Sequence, residues 1–220
     1  MRTVIFDLDG TLADTSRDLI AAANTCFQDL GLGNLLDPVD DAATAFRGGR
    51  AMLALGFSRV DGFGEDDIDR QQPLFVKAYD NNIDTHTTLY PYAMQAVETL
   101  KSNGFAVGIC TNKPAGLAEK LLTRLGVRNE FASMIGADTL PVRKPDPAPF
   151  IAAVEQAGGT VSRSCLIGDT DTDRKTARAA GVPSVLVTFG PSGDTVRDLE
   201  PEALLHDYKD LPAIAVKLLV

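Results

Sequence analysis

Two aspartates one residue apart follow the apolar run Thr3-Val4-Ile5-Phe6, giving Asp7-Leu8-Asp9-Gly10-Thr11. In an extended chain alternate side chains share a side, so positions 7 and 9 point the same way. Two close carboxylates repel and raise each other's pKa unless a cation sits between them. Magnesium is the expected cation, because it takes hard oxygen ligands, keeps several waters and accepts further oxygens from a phosphate. Gly10 permits a tight turn, and Thr11 offers a hydroxyl and an N–H to phosphate oxygens. The plainer alternative is a polar strand-to-loop junction, since Asp and Gly are common turn residues.

Three further polar clusters close apolar runs. Gly168-Asp169-Thr170-Asp171-Thr172-Asp173 follows Cys165-Leu166-Ile167. Asp169 falls at the end of that run and Asp173 about one helical turn on. Helix capping would account for one of these carboxylates but not three, and Asp171 is assigned to it. Cys110-Thr111-Asn112-Lys113-Pro114 places a hydroxyl at the end of another run, where it can hydrogen-bond a phosphoryl oxygen. Thr111 and Asn112 alone would read as turn residues. Arg143-Lys144-Pro145-Asp146-Pro147 sets a lysine in a stiff loop before a helix. Most lysines are solvated surface charges, and Lys144 stands out only by sharing this edge with the carboxylates.

The elements that must position these groups follow from periodicity. Continuous apolar runs at Thr3–Leu8, Phe105–Thr111, Ser133–Gly136, Ser164–Gly168 and Ser184–Thr188 read as parallel strands covered on both faces. Helical patterns lie between them: Ala93, Val97, Leu100; Leu117, Leu121, Leu122, Leu125; Phe150, Ile151, Val154; and Ala177, Ala179, Ala180. This alternation predicts an α/β fold, a doubly wound parallel sheet of Rossmann-like type, whose ligands bind beyond the carboxyl ends of the strands. The stretch from about Thr15 to Asp84 breaks the rhythm. Leu19, Ile20, Ala23, Phe27 and Leu30 have helical spacing, and further helices are expected at Asp40–Leu55 and Glu65–Asn82, the latter interrupted at Pro73. The expected domains are therefore a core of 1–14 and 85–220 and a helical insertion of 15–84. Leu204, Leu205, Leu211, Ile214 and Leu218 are assigned to a closing helix.

Composition sets outer bounds. The 220 residues are 45% hydrophobic and 23% charged, ordinary for a globular chain, with a formal charge of −9 and scattered Lys and Arg. A net negative field disfavours nucleic acid and anionic membranes as partners but leaves room for a small anion held by local positive charge. Three widely spaced cysteines without a CxxC pair argue against a disulfide framework or a zinc site. No apolar stretch suits a signal peptide or membrane span, so a cytoplasmic location is expected. His86 and His206 have no motif around them and are assigned to structure or surface. No G-x-G-x-x-G follows the first run, which disfavours dinucleotide binding.

In this order and over essentially the whole chain, DxDGT, a Thr after an apolar run, Lys-Pro and GDTxxD resemble the haloacid dehalogenase superfamily, and the inserted helices match its helical cap. The resemblance implies a magnesium-dependent phosphatase acting on a small phosphorylated metabolite through an aspartyl-phosphate. Asp7 would be the nucleophile and Asp9 the general acid and base; Thr111, Asn112, Lys144, Gly10 and Thr11 would hold the phosphoryl group. Magnesium would be bound by Asp7, the backbone carbonyl of Asp9, and Asp169, with Asp173 orienting the site. Dehalogenases and phosphonatases of the superfamily lack an Asp matching Asp9. Thr111-Asn112-Lys113-Pro114 and Gly136-Ala137-Asp138-Thr139-Leu140-Pro141 look like phosphoglycolate phosphatases, and Phe46-Arg47-Gly48-Gly49-Arg50 is similar to their cap loop. Arg47 or Arg50 could meet a substrate carboxylate there, or both could be solvated arginines of an interhelix turn. A sugar-phosphate mutase, or a protein that binds phosphoesters without turnover, would keep the same core motifs. Oligomeric state is left open.

Overall fold

The computed structural model describes residues 1–219 and separates into two compact units, Met1–Ala13 with Leu89–Val220, and Asp14–Thr88. The chain leaves the first unit through β2 (Ala13–Asp14), following β1 (Thr3–Phe6), and returns through β3 (Thr88–Leu89). The first unit then alternates α5 (Ala93–Ser102), β4 (Ala106–Cys110), α6 (Ala115–Arg124), β5 (Ser133–Ile135), α7 (Ala148–Gln156), β6 (Ser164–Gly168), α8 (Asp171–Ala180), β7 (Ser184–Val187), β8 (Ala203–Leu205) and α9 (Leu211–Leu218).

Six of these strands form one parallel sheet in the order β5-β4-β1-β6-β7-β8. β1 is central because Val4, Ile5 and Phe6 are apolar on both faces and fully buried. Its two neighbours are β4, with Phe6 opposite Ile109, and β6, with Phe6 opposite Ile167. The chain builds outward from β1 through β4 to β5, then crosses to β6 on the other side. That reversal leaves a crevice beyond the carboxyl end of β1, which is where ligands of such sheets bind.

One layer of the core joins Ile5, Cys110, Ile135 and Leu166 of the strands to Phe150, Ala153 and Val154 of α7 and Ala177 of α8. Full burial of side chains such as Phe150 and Val154 contributes about 1.5–3 kcal/mol each. The α/β architecture expected from the alternating runs is therefore present, with one difference. Leu204 and Leu205 belong to edge strand β8, paired with Leu186 and Val187, and the closing helix starts only at Leu211. Pairing along an existing sheet edge overrides the helical spacing of so short a run.

The second unit contains α1 (Ser16–Asp29), α2 (Ala42–Ala45), α3 (Gly49–Phe57) and α4 (Glu65–Asn81). Three features differ from expectation. The single helix expected at Asp40–Leu55 is two, divided where Gly48 adopts φ 91°, a conformation that only glycine takes readily. Pro73 does not interrupt α4. It lies on an exposed face, where water can satisfy the carbonyl its missing N–H leaves free. The unit also extends to Thr88 rather than ending at 84. The buried Asp18 carboxylate of α1 accepts from the His86 and Thr87 N–H groups and from the Thr87 hydroxyl at 2.7–3.0 Å, which binds that segment to the helices.

Inside this unit Phe57 lies edge-on to Phe27 at 5.2 Å and stacks on Phe63 at 4.8 Å. Asn24 fixes the loop after α1 through a reciprocal pair, donating to the Leu36 carbonyl at 2.8 Å and accepting from the Leu36 N–H at 3.0 Å. All four groups are buried, so a deletion strands two backbone polar groups at about 1–3 kcal/mol each. Asn24→Ala should therefore lower stability by about 2 kcal/mol or more in urea unfolding, while an exposed control such as Gln28→Ala stays within about 0.5 kcal/mol.

Candidate active site

Three adjacent strand ends deliver the polar groups. The Asp7 N–H continues the ladder by donating to Ile167 O at 2.9 Å, so its side chain emerges where β1 and β6 still run in register. Beyond it the chain folds tightly back. The Leu8 carbonyl receives the N–H groups of Thr11, Leu12 and Ala13 at 3.3, 3.0 and 3.1 Å, and Gly10 closes the turn at φ 79°. The Thr11 hydroxyl donates to Asp169 Oδ1 at 2.9 Å. Thr11 was expected to offer hydroxyl and N–H to a phosphate, but both are committed within the protein. Its place is behind Asp169.

Asp7, Asp169 and Asp173 each present a carboxylate oxygen within 4.8 Å of the others. The close approach depends on Gly168, since a Cβ there would lie 2.4 Å from the Asp173 side chain. Lys144 reaches the group from the loop before α7 and is almost fully buried. Its Nζ lies 2.6 Å from Asp173 Oδ1 and 3.0 Å from Asp7 Oδ1, the latter as an ion pair without hydrogen-bond geometry. The other Asp173 oxygen accepts from the Thr170 hydroxyl at 2.6 Å and from the Thr170 and Asp169 N–H groups at 3.2 and 3.3 Å. Asp173 is thus saturated by the protein, which suits an orienting part. Asp171, assigned to capping, instead pairs with Lys175 one turn on at 2.7 Å, and Asp173 bonds the start of α8.

The electrostatics follow from this crowding. Burial pushes the Asp7 carboxyl up to about 6; Lys144 pulls it down, and Asp173 and Asp9 push it up. Burial, then Asp173 and Asp7, hold the Asp169 carboxyl well above the usual range. Burial opposes the charge on Lys144, but Asp173 and Asp7 outweigh it and raise its pKa, so the ammonium persists.

Asp9 faces elsewhere. Its two oxygens lie 2.7 and 2.9 Å from Nζ of Lys113, whose side chain is nearly buried. The part played by Lys113 goes beyond its place in the Cys110-Thr111-Asn112-Lys113-Pro114 motif, and the signal for it in the sequence is a lysine two residues from Thr111 at a strand end. Thr111 is buried and its Oγ1 accepts from the Lys113 N–H at 3.1 Å, leaving its hydroxyl hydrogen free to donate. Asn112 is exposed and donates to the Lys144 carbonyl at 3.0 Å, tying together the loops that carry Thr111 and Lys144. In the helical unit, Arg50 is held by Glu65 and Asp69 in exposed ion pairs. Arg47 is exposed and has no such partner among the described residues. Gly49 answers to packing, since a Cβ on it would lie 2.4 Å from the Phe75 ring, and Gly48 to its φ of 91°.

The residues fit a hard divalent cation. Asp7 Oδ1 and Asp169 Oδ2 are buried without a hydrogen-bond partner, and buried polar atoms rarely remain so without one. The cluster supplies oxygen ligands only, which excludes a thiolate-type zinc site and suits magnesium-like chemistry. Asp7 and Asp173 pair with Lys144 and Asp9 with Lys113, while Asp169 adds a further carboxylate to the cluster, a concentration of negative charge that a divalent ion would offset.

A doubly wound sheet with these groups at its β1 crevice defines a class, and residues 4–187 match the family model described as haloacid dehalogenase-like hydrolase. The chain belongs to that family. It is 36% identical over 223 residues to the phosphoglycolate phosphatase of Caulobacter vibrioides, covering 99% of this chain and 92% of that one. It is likewise 36% identical over 217 residues to the phosphoglycolate phosphatase of Agrobacterium fabrum, covering 97% and 92%. A crystal structure described as a predicted phosphoglycolate phosphatase from Haemophilus somnus aligns with a TM-score of 0.85 at 26% identity over 97% of both chains. Among the described residues no helix is long and apolar enough to cross a membrane.

Removing the Lys144 charge strands two buried carboxylates. Lys144→Met should lower stability by about 3 kcal/mol in urea unfolding at neutral pH, the scale for breaking one side of a buried ion pair. A loss below about 1 kcal/mol would show that Lys144 does not offset those charges.

Proposed function

We propose that the chain is a magnesium-dependent phosphatase that hydrolyses a small phosphate monoester through an aspartyl-phosphate at Asp7. The observation that carries this reading is the pair of buried oxygens on Asp7 and Asp169 that lack a hydrogen-bond partner, the Asp7 oxygen meeting the Lys144 ammonium only as an ion pair. Asp7, Asp169 and the backbone carbonyl of Asp9 would hold the ion, with Asp173 orienting from behind. Bound there, magnesium supplies positive charge to the phosphoryl oxygens as the phosphorus is attacked.

The chain's own residues do the rest. An Asp7 oxygen attacks phosphorus in line as the bond to the leaving oxygen breaks, and Asp9, which enters this step in its protonated form, gives that oxygen its proton. Water then attacks the same phosphorus, Asp9 takes its proton, and inorganic phosphate departs with Asp7 restored. The Thr111 hydroxyl and the Lys144 ammonium hold the transferring group, where fixed donors stabilise charge as it develops. Lys113 orients the Asp9 carboxylate through both of its oxygens. Asn112 acts through the Lys144 loop rather than on the substrate.

Among small esters, 2-phosphoglycolate is the preferred candidate, supported by full-length similarity to phosphoglycolate phosphatases. That similarity also favours hydrolysis over phosphoryl transfer between sugars. Of Arg47 and Arg50, Arg47 is the better candidate for a substrate carboxylate, because Arg50 is already paired with Glu65 and Asp69.

The test is a panel of small phosphate esters that includes 2-phosphoglycolate and hexose phosphates. With magnesium, free phosphate should appear, and chelation should abolish it. Asp9→Asn should lower kcat by about 10²–10⁴-fold, the usual worth of a positioned acid and base. Conversion of one sugar phosphate to another without net phosphate release would establish a mutase, and inactivity across the whole panel a binding protein.

A further inference from the structure

Behind the acidic cluster lies a hydrogen-bonded connection built from distant parts of the first unit. Tyr208, between β8 and α9, is buried and donates its hydroxyl to the Thr11 carbonyl at 2.8 Å. Thr11 in turn donates its own hydroxyl to Asp169 Oδ1 at 2.9 Å. Asp169 Oδ2 is the orphaned oxygen of that same carboxylate. The Tyr208 ring packs beside Phe189 at 5.3 Å, which contacts Tyr90 at 4.9 Å, and the Tyr90 N–H bonds the Leu12 carbonyl at 3.0 Å. Gly190 completes the wall: a Cβ on it would lie 2.8 Å from the Gly10 carbonyl oxygen and 3.2 Å from Asp169 Cβ. The Asp9–Leu12 turn is therefore gripped from behind at Gly10, Thr11 and Leu12.

We propose that Tyr208 is a positioning residue for the metal site, fixing the Thr11 carbonyl and, through the Thr11 hydroxyl, the orientation of Asp169. The inference rests on the reading of Asp7 and Asp169 as magnesium ligands. Groups that bond a metal ligand set its orientation, and their loss typically costs 10–100-fold in metal affinity. Tyr208 acts one bond further back, so a smaller effect is expected. Burial raises the phenol pKa well above its ordinary value, which keeps the hydroxyl a donor at working pH.

Tyr208→Phe removes one hydroxyl and keeps the ring. Its magnesium Kd, measured by calorimetry without substrate, should rise about three- to tenfold. Turnover at saturating magnesium should return to within about twofold of the parent. Phe189→Leu loosens the same aromatic contacts without touching the connection, and should lower Tm while leaving the magnesium Kd within about twofold. In a double-mutant cycle, Tyr208→Phe should add little to Thr11→Val, because both cut one path. An unchanged Kd in Tyr208→Phe, an equal rise in Phe189→Leu, or independent multiplication of the two effects in the cycle would overturn the proposal. A parent chain that binds no magnesium would overturn the metal reading itself, and this inference with it.

Discussion

Lys144 lies almost wholly buried between Asp7 and Asp173, and the geometry of the catalytic edge depends on that ammonium. Without it, several carboxylates would face one another in a dry pocket and take up protons rather than remain charged. With it, Asp173 is neutralised on one oxygen and tied to the start of α8 by the other, so α8 begins where the cluster needs it. The surrounding sequence serves the same placement. Gly168 yields room for Asp173, and Asn112 holds the Lys144 backbone. The acids still outweigh that ammonium, and Asp169 Oδ2, which has no hydrogen-bond partner, lies in the same cluster as Asp7 Oδ1, which Lys144 meets only as an ion pair, marking where further positive charge belongs.

A second pair, Lys113 with Asp9, is kept apart from the first. Asp7 and Asp9 leave one short segment, yet Asp7 joins the metal-type cluster while Asp9 turns to its own lysine. Two carboxylates in different electrostatic settings can take different parts, one as nucleophile and one as proton carrier. The tight turn at Leu8–Ala13 makes this separation possible within three residues, and Tyr208 and Gly190 hold that turn from distant parts of the first unit.

Much of this was legible in the sequence because local rules govern it. Continuous apolar runs identified β1, β4, β5, β6 and β7, and a carboxylate or hydroxyl at the end of a strand follows directly from strand register. Edge strand β8 was not legible, because its three residues become a strand only by pairing with β7. The continuity of α4 through Pro73 was not legible either, because tolerance of a proline depends on which face is exposed, and that is a tertiary fact. The parts played by Thr11, Lys113 and Tyr208 depend on partners up to 197 residues away. No spacing rule within a motif reports such contacts. The Arg-Gly-Gly-Arg loop shows the converse: its glycines suggest ligand contact, yet Gly49 is accounted for by the Phe75 ring.

The proposed mechanism turns on a covalent bond, with Asp7 carrying the phosphoryl group between its two transfers. It is tested most directly by acid quench during turnover of a ³²P-labelled ester with magnesium, followed by peptide mapping of the protein-bound label. Acid-stable, base-labile label is expected on the peptide that contains Asp7, and should be lost in Asp7→Asn. Steady release of phosphate with no protein-bound label under conditions that trap an acyl phosphate, or label on another residue, would contradict it.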